Sequence, residues 1–360
     1  EKNVKVSVST PLIVSKSKGW HWYPSIRKMR DDSLLLVFSI MADAFPENIV
    51  VPHHAMVRST DGGKSWYFHR YLYFPTTVAG DAHVCAQLSD GMVLELPNNV
   101  HVVDGKCYAP YWKSNDYGKT FHGPYNAQLH FPKGSIETTS VAGRTLANVR
   151  FYRSIIELDN GNLLASMYGR FRGDEKYRSF LVESTDRGES WSYLSTIAYD
   201  PKVGTEGFCE PVMALLPDGE ILCIMRTGSG EPLYQSKSSD QGETWSKPEP
   251  TGVRGVDPDL IVLSNDVIAC SYGRLQPKRE IEPSASLDPR LSASMGNQIM
   301  FSVDKGDTWT GHTTIYAGPT TGYTGIEEIQ PGKVIYTFDT LGYGWHPFNT
   351  IRTVSYTHLR

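Results

Sequence analysis

An eight-residue phrase, Ser-x-Asp-x-Gly-x-Ser/Thr-aromatic, recurs five times along this chain. The copies run Ser59–Trp66, Ser114–Phe121, Ser184–Trp191, Ser238–Trp245 and Ser302–Trp309. Each is a hairpin-turn signal: Asp and Gly supply a tight bend, and the hydroxyls and carboxylate bond local backbone groups. The closing aromatic is placed to wedge between neighbouring sheets. Five copies in register restrict the chain to an architecture of repeated hairpins.

A strand–turn–strand precedes each copy, and a sixth follows the last. These are Tyr23–Phe38 around Asp31-Asp32, Ala82–Leu96 around Asp90-Gly91, and Tyr152–Tyr168 around Asn160-Gly161. The others are Glu210–Met225 around Asp218-Gly219, Asp257–Tyr272 around Asn265-Asp266, and Tyr323–Phe338 around Pro331-Gly332. Apolar first strands (Ile155, Ile156, Leu158) and short apolar second strands (Leu163, Leu164, Ala165) read as buried sheet. Repeats of about four strands predict an all-β fold, a six-bladed β-propeller, as one domain over residues 1–360. Val4–Val8 alternates, and no octet follows Asp339. The N-terminal strand is therefore expected to close the last blade beside a strand at Thr350–Tyr356. Ile40–Arg58, Pro97–Lys113 and Leu275–Phe301 read as long insertions, where a rigid scaffold usually carries function.

Composition narrows the partners. Thirty-five Lys and Arg against 39 Asp and Glu give a net charge of −4. Without a basic run, nucleic acid is not expected, and no apolar stretch reaches the ~18 residues of a membrane helix. Cys85, Cys107, Cys209, Cys223 and Cys270 show no metal-ligand spacing, and read as buried apolar side chains. No metal or organic cofactor is implied. The chain starts at Glu1 without Met, which suits a secreted or periplasmic protein whose leader has been removed.

The octets are Asp boxes, and with the six hairpins the whole chain resembles the sialidase (neuraminidase) superfamily of Asp-box propellers. That resemblance implies a glycoside hydrolase with a Tyr nucleophile, a Glu that takes its proton, an Asp acid/base and three arginines on the substrate carboxylate. The chemistry accounts for the set. Sialic acid carries a carboxylate on its anomeric carbon, which repels an anionic nucleophile. A neutral Tyr avoids the repulsion, and a nearby Glu offsets the about 4 kcal/mol that ionising a phenol of pKa ~10 costs at neutral pH.

Residue by residue, Glu210 in Cys-Glu-Pro matches the family's Glu, and Arg226 at the end of the paired strand matches its second arginine. Tyr323 in Gly-Tyr-Thr looks like the nucleophile. Independently of the resemblance, Glu210 and Tyr323 stand at one repeat position, nine residues before Gly219 and Gly332. Arg290 is the candidate third arginine. Asp43 is the candidate acid/base, with Glu47 as runner-up. The pattern breaks at the first arginine, where Tyr23-Pro24 stands in place of Arg-Ile-Pro. Either Arg27 or Arg153 replaces it, or the substrate is not a standard sialoside.

Repeat geometry adds other candidates for the same mouth. Asp257 and Tyr152 share the position of Glu210 and Tyr323, and Arg170 and Arg274, both in Tyr-Gly-Arg, end second strands as Arg226 does. His83 and Asp81 open blade two, and His53 and His54 lie in blade one. Three functions follow. The first is an exo-acting retaining glycosidase of the sialidase type that removes a terminal acidic sugar from glycoconjugates. The second is a glycosidase or lyase of the same fold on uronic-acid-containing polysaccharide, with a histidine as acid/base. The third is a non-catalytic carbohydrate-binding propeller.

Overall fold

The structure, a computed structural model, describes residues 4–17, 21–40, 53–72, 84–141, 144–273, 294–340 and 349–359. All regular structure in them is β. No helix among the described residues is long and apolar enough to cross a membrane.

Strands β1 (Lys5–Val8) and β2 (Leu12–Ser17) precede a first unit of β3 (His21–Lys28), β4 (Leu34–Ile40), β5 (His53–Ser59) and β6 (Tyr67–Leu72). The second unit has β7 (Val84–Gln87) and β8 (Val93–Leu96), then β9 (Asn99–Val103), β10 (Lys106–Ser114), β11 (His122–His130) and β12 (Thr138–Val141). The third is β13 (Arg144–Glu157), β14 (Leu163–Gly169), β15 (Arg178–Ser184) and β16 (Ser190–Ala198). The fourth is β17 (Cys209–Leu215), β18 (Ile221–Arg226), β19 (Pro232–Ser238) and β20 (Glu249–Arg254). The fifth is β21 (Val256–Val262), β22 (Ile268–Gly273), β23 (Ser294–Ser302) and β24 (Thr310–Thr320). The sixth is β25 (Thr324–Gln330), β26 (Lys333–Thr340) and β27 (Asn349–Leu359).

Every hairpin expected from the turn residues is present. The first, fourth and fifth units are four-stranded antiparallel sheets in chain order. In the sixth, both β1 and β2 pair antiparallel with β27, so N-terminal strands complete the last sheet as the alternation in Val4–Val8 suggested.

The second and third units depart from that plan. Pro97–Lys113 is not a loop: β9 and β10 form a hairpin on Asp104-Gly105, whose φ angles of 49° and 74° are both left-handed. Successive left-handed residues suit the tight turn that matches strand twist, and Asp-Gly is a strong signal for it. Strand β9 then pairs with β13, and β11 lies parallel to β16, aligning Gln128 with Ser190 and Leu129 with Trp191. Because β11 also pairs β10, seven strands (β11, β16, β15, β14, β13, β9, β10) close on themselves. One core, with Val100, Ala109, Leu129, Phe151, Met167, Phe180 and Trp191, fills the junction.

The Asp boxes connect β5 to β6, β10 to β11, β15 to β16, β19 to β20 and β23 to β24. In each, the Asp accepts the first Ser hydroxyl, at 2.7–2.8 Å, and that Ser oxygen accepts the Gly amide four residues on, at 2.8–2.9 Å. The box glycine faces an apolar side chain of the preceding unit: Leu35, Leu94, Leu181 and Leu222 for units two to five. For the first unit that side chain is Ile335 of the sixth, so the packing order is cyclic. Closing tryptophans reach the same way, Trp245 to Ser195 at 3.0 Å and Trp309 to Gln235 at 2.9 Å. A cavity of about 210 Å³ is lined from all six first strands, by Arg27, Cys85, Arg153, Met213, Leu260 and Glu327 among others. All five cysteines are buried and unpaired.

Candidate functional site

Four first strands break their ladder at one place. Glu210 (φ 49°) lies in the register shift between Cys209 and Val212, Tyr23 (61°) between Trp22 and Ser25, and Asp257 (48°) between Val256 and Asp259. Arg153 (46°) does the same between Phe151 and Ile155. Three of the four are followed by proline, which has no N–H for the ladder and favours a bulge. A left-handed non-glycine residue costs about 1–3 kcal/mol, and such residues gather at functional sites. In the third unit the kinked residue is Arg153, one after the Tyr152 that counting from the turn indicates.

The bulge aims Glu210 across the fold at the sixth unit. Its side chain is 4% exposed. Oε1 accepts the Tyr323 hydroxyl at 2.7 Å and Arg226 Nη1 at 2.7 Å, while Oε2 accepts the Asp257 amide at 2.9 Å. Three donors fix both oxygens, so the carboxylate cannot turn away from the phenol. Sequence counting brought Glu210, Arg226 and Tyr323 together, and the structure does so too. It adds Glu206, which accepts Arg226 Nη2 at 2.9 Å from the loop before β17. Arg226 thus bridges two carboxylates, of which Glu206 is the more exposed. The parallel bridge of Gly207 to Tyr177 holds that loop against the third unit.

Tyr23 stands beside the nucleophile candidate, its ring edge-on to Tyr323 with centroids 4.3 Å apart. Buried Asp339 ties the two together. It accepts Thr320 Oγ1 and the Thr321 amide at 2.8 Å each, the Thr321 hydroxyl, and the Tyr23 amide at 3.4 Å. The Tyr323 amide in turn donates to Thr321 Oγ1 at 3.3 Å. Burial lifts the Asp339 carboxyl to about 6.

Arg27 lies elsewhere. Its guanidinium donates to the Ile26 and Arg153 carbonyls at 2.7 and 3.3 Å and pairs with Asp259 at 3.5 Å. Arg153 is fully buried and donates to Asp257 from Nε at 3.1 Å and Nη2 at 2.6 Å. Tyr152 also donates to Asp257, and the Thr324 amide does so at 2.8 Å. Burial pushes the Asp257 carboxyl up, to about 7, against the pull of Arg153, and raises the Tyr152 phenol well above its usual value. Asp257 and Tyr152 therefore form a second, sealed Tyr–carboxylate pair behind Glu210.

Counted from the turn, Tyr168 rather than Arg170 stands level with Arg226. Arg170 is exposed, with its guanidinium 5.6 Å from the Tyr177 ring centre. His54 is buried, with Nε2 3.2 Å from Ser39 Oγ. Asp43, Glu47, Asp81, His83, Arg274 and Arg290 lie outside the described residues, as does the His53 side chain. Among the described residues, no cluster of three or more His, Cys, Asp or Glu is arranged to hold a metal ion.

Glu206 and Asp339 escaped sequence reasoning. Asp339 had a readable signal, since it ends its second strand level with Arg226. Glu206 sits in an irregular loop and had none.

Structures with this fold include a protein of unknown function from Dyadobacter fermentans, 20% identical, covering 98% of this chain and 99% of that one at a TM-score of 0.77. A variant of the NanB sialidase from Streptococcus pneumoniae is 14% identical, with coverage of 97% and 70% and a TM-score of 0.67. An α-L-arabinanase from Penicillium chrysogenum, solved with arabinobiose, is 15% identical, with coverage of 96% and 98% and a TM-score of 0.66. No curated protein matches the sequence. The BNR repeat-like domain family matches residues 83–319, about two thirds of the chain and four of its five Asp boxes, and the chain belongs to that family.

Proposed function

We propose that this protein is an exo-acting, retaining glycoside hydrolase of the sialidase type, built as a six-bladed propeller, that removes a terminal acidic sugar from a glycoconjugate. The observation that carries the reading is the 2.7 Å hydrogen bond from Tyr323 to Glu210 Oε1. Glu210 takes the phenolic proton as Tyr323 attacks the anomeric carbon, and an acid protonates the departing oxygen. Water then cleaves the glycosyl–tyrosine bond from the same face, so two displacements retain configuration. Asp43 is the proposed acid/base, and Arg226 with Arg290 the proposed carboxylate contacts. The cyclic packing and the cavity lined from six first strands support the propeller. Secretion or export to the periplasm suits a glycoconjugate substrate.

The test is release of free sugar from a fluorogenic sialoside, with Tyr323→Phe as control. Turnover that survives Tyr323→Phe would refute the assignment of the nucleophile. No turnover of any sialoside would refute the substrate.

A second reading has its own observation. Tyr23, which stands where the resemblance expects the first arginine, packs on Tyr323, while Arg226 is already shared by Glu206 and Glu210. Both favour a sugar held differently from a sialoside, and uronic-acid-containing polysaccharide is the alternative. The likeness to an arabinanase supports a broader substrate range for this fold. Sugar released from uronate oligomers, or an ultraviolet-absorbing unsaturated product, would select it.

A further inference from the structure

We propose that Arg150 and Arg170, mounted on Tyr168 and Tyr177, form a second saccharide subsite, which takes the carboxylate or sulfate of an acidic sugar unit next to the one held at Tyr323. This rests on the glycosidase reading above and extends it from one terminal sugar to an acidic oligosaccharide.

A row of tyrosines leads outward from the sealed pair. The Tyr152 and Tyr168 rings lie 5.6 Å apart, and Tyr168 and Tyr177 lie 5.5 Å apart at 88°. Burial falls along the row, from fully buried Tyr152 through Tyr168 to partly exposed Tyr177. On the two outer rings sit guanidinium groups, Arg150 at 5.3 Å from Tyr168 and Arg170 at 5.6 Å from Tyr177. A guanidinium over an aromatic ring is attracted by the ring face, and its N–H fork matches the geometry of a carboxylate or sulfate. Among the described residues no carboxylate pairs with Arg170.

Two backbone features tie this row to the segment before Glu210 and bring Arg170 next to the strand of Arg150. The Tyr177 amide donates to the Glu206 carbonyl at 2.8 Å, and the Phe208 amide donates to the Tyr177 carbonyl at 2.9 Å. Tyr177 is therefore joined to the segment that carries Glu206 and, two residues past Phe208, Glu210. Gly169 permits the second approach: a Cβ there would collide with the Asn148 carbonyl. Without one, the Arg170 amide reaches that carbonyl at 3.0 Å, close to Arg150 on the neighbouring strand.

The polarity of the line decides the ligand class. At one end, the Arg226 charge is met by Glu206 and Glu210. At the other, Arg170 is exposed on an aromatic face. A glycan with a reacting unit at Tyr323 and an acidic neighbour matches that order.

The experiment uses Tyr323→Phe protein, which holds saccharide without turning it over, and calorimetric titration with anionic and neutral oligosaccharides of equal length. In this background Arg170→Gln is expected to lower the anionic-to-neutral affinity ratio about tenfold, the size of one charge-assisted hydrogen bond, and Arg150→Gln with Arg170→Gln to lower it further. Salt is expected to weaken anionic binding less in the variants than in their parent. An unchanged ratio, with binding otherwise intact, would overturn the subsite and leave the glycosidase reading standing. If neither kind of saccharide binds the parent, the glycosidase reading fails, and the subsite with it.

Discussion

Replacing Glu210 with glutamine tests the site most directly, because it changes charge and one donor while preserving shape. Glu210 accepts Tyr323, Arg226 and the Asp257 amide through two oxygens. A glutamine has one acceptor oxygen, so in either orientation its NH₂ faces a donor and a bond is lost. Arg226 keeps Glu206 at 2.9 Å, so its charge is not stranded, and the stability cost is set at roughly 2 kcal/mol rather than the about 3–5 of a broken buried pair. Catalysis suffers more. Phenol ionisation at neutral pH costs about 4 kcal/mol without a base, and a positioned general base is worth about 10²–10⁴ in rate. Glu210→Gln is therefore expected to lower kcat by that factor and leave KM within a few-fold. Initial rates on an activated aryl glycoside give both constants, and a thermal melt shows that the variant is folded. If Glu210 and Tyr323 act as one unit, as proposed, Glu210→Gln with Tyr323→Phe should be no slower than the worse single variant. A kcat within tenfold of the parent, or multiplicative losses in the double variant, would refute the pairing.

Gly273 touches the Gly322 backbone, one residue before Tyr323. Gly273→Ala is expected to push the nucleophile off Glu210, lowering kcat by more than tenfold for a stability loss of about 1–3 kcal/mol. Tyr23→Arg is expected to raise affinity for a free sialic acid about tenfold if a carboxylate binds there; a titration showing no gain would place the carboxylate elsewhere. Burial lifts the Glu95 and Asp339 carboxyls to about 7 and 6. They hold protons in the folded chain that the unfolded chain, with carboxyls near ~4, releases. Their contribution is complete below about pH 4 and falls as pH rises toward 7, so urea midpoints should be lower at pH 8 than at pH 5 and Glu95→Gln should flatten the difference. The box aspartates Asp61 and Asp116, held down to about 2 by hydroxyl and amide donors, act oppositely, and their contribution is lost as pH falls from about 4 toward 2.

Much of this was legible because turn chemistry is local. Asp31-Asp32, Asn160-Gly161 and Pro331-Gly332 announced their hairpins, and counting back from the turns put Glu210 level with Tyr323. The same count missed Arg153 because Ser154, not proline, follows it, leaving no mark of the bulge. The β9–β10 hairpin carried a readable Asp104-Gly105 signal, yet β9 also pairs with β13 and β11 with β16, partners distant in sequence. Nothing local reveals such pairing. Asp339 could be placed level with Arg226 by the same count, but its task could not be read. Its task depends on Tyr23, which lies 316 residues away.

The parallel pairing of β11 with β16 has a consequence for how the molecule opens. Among the described residues, the last strand of the first, fourth and fifth sheets has a partner on one side only, so that edge can fray by itself. Strand β16 is held on both sides, by β15 and β11, and Trp191 lies buried in a core shared with Leu129. Lifting β16 means opening the closed circuit of seven strands. The second and third units are therefore expected to exchange their amide protons as one block, with Tyr168 of β14 in the part that opens last.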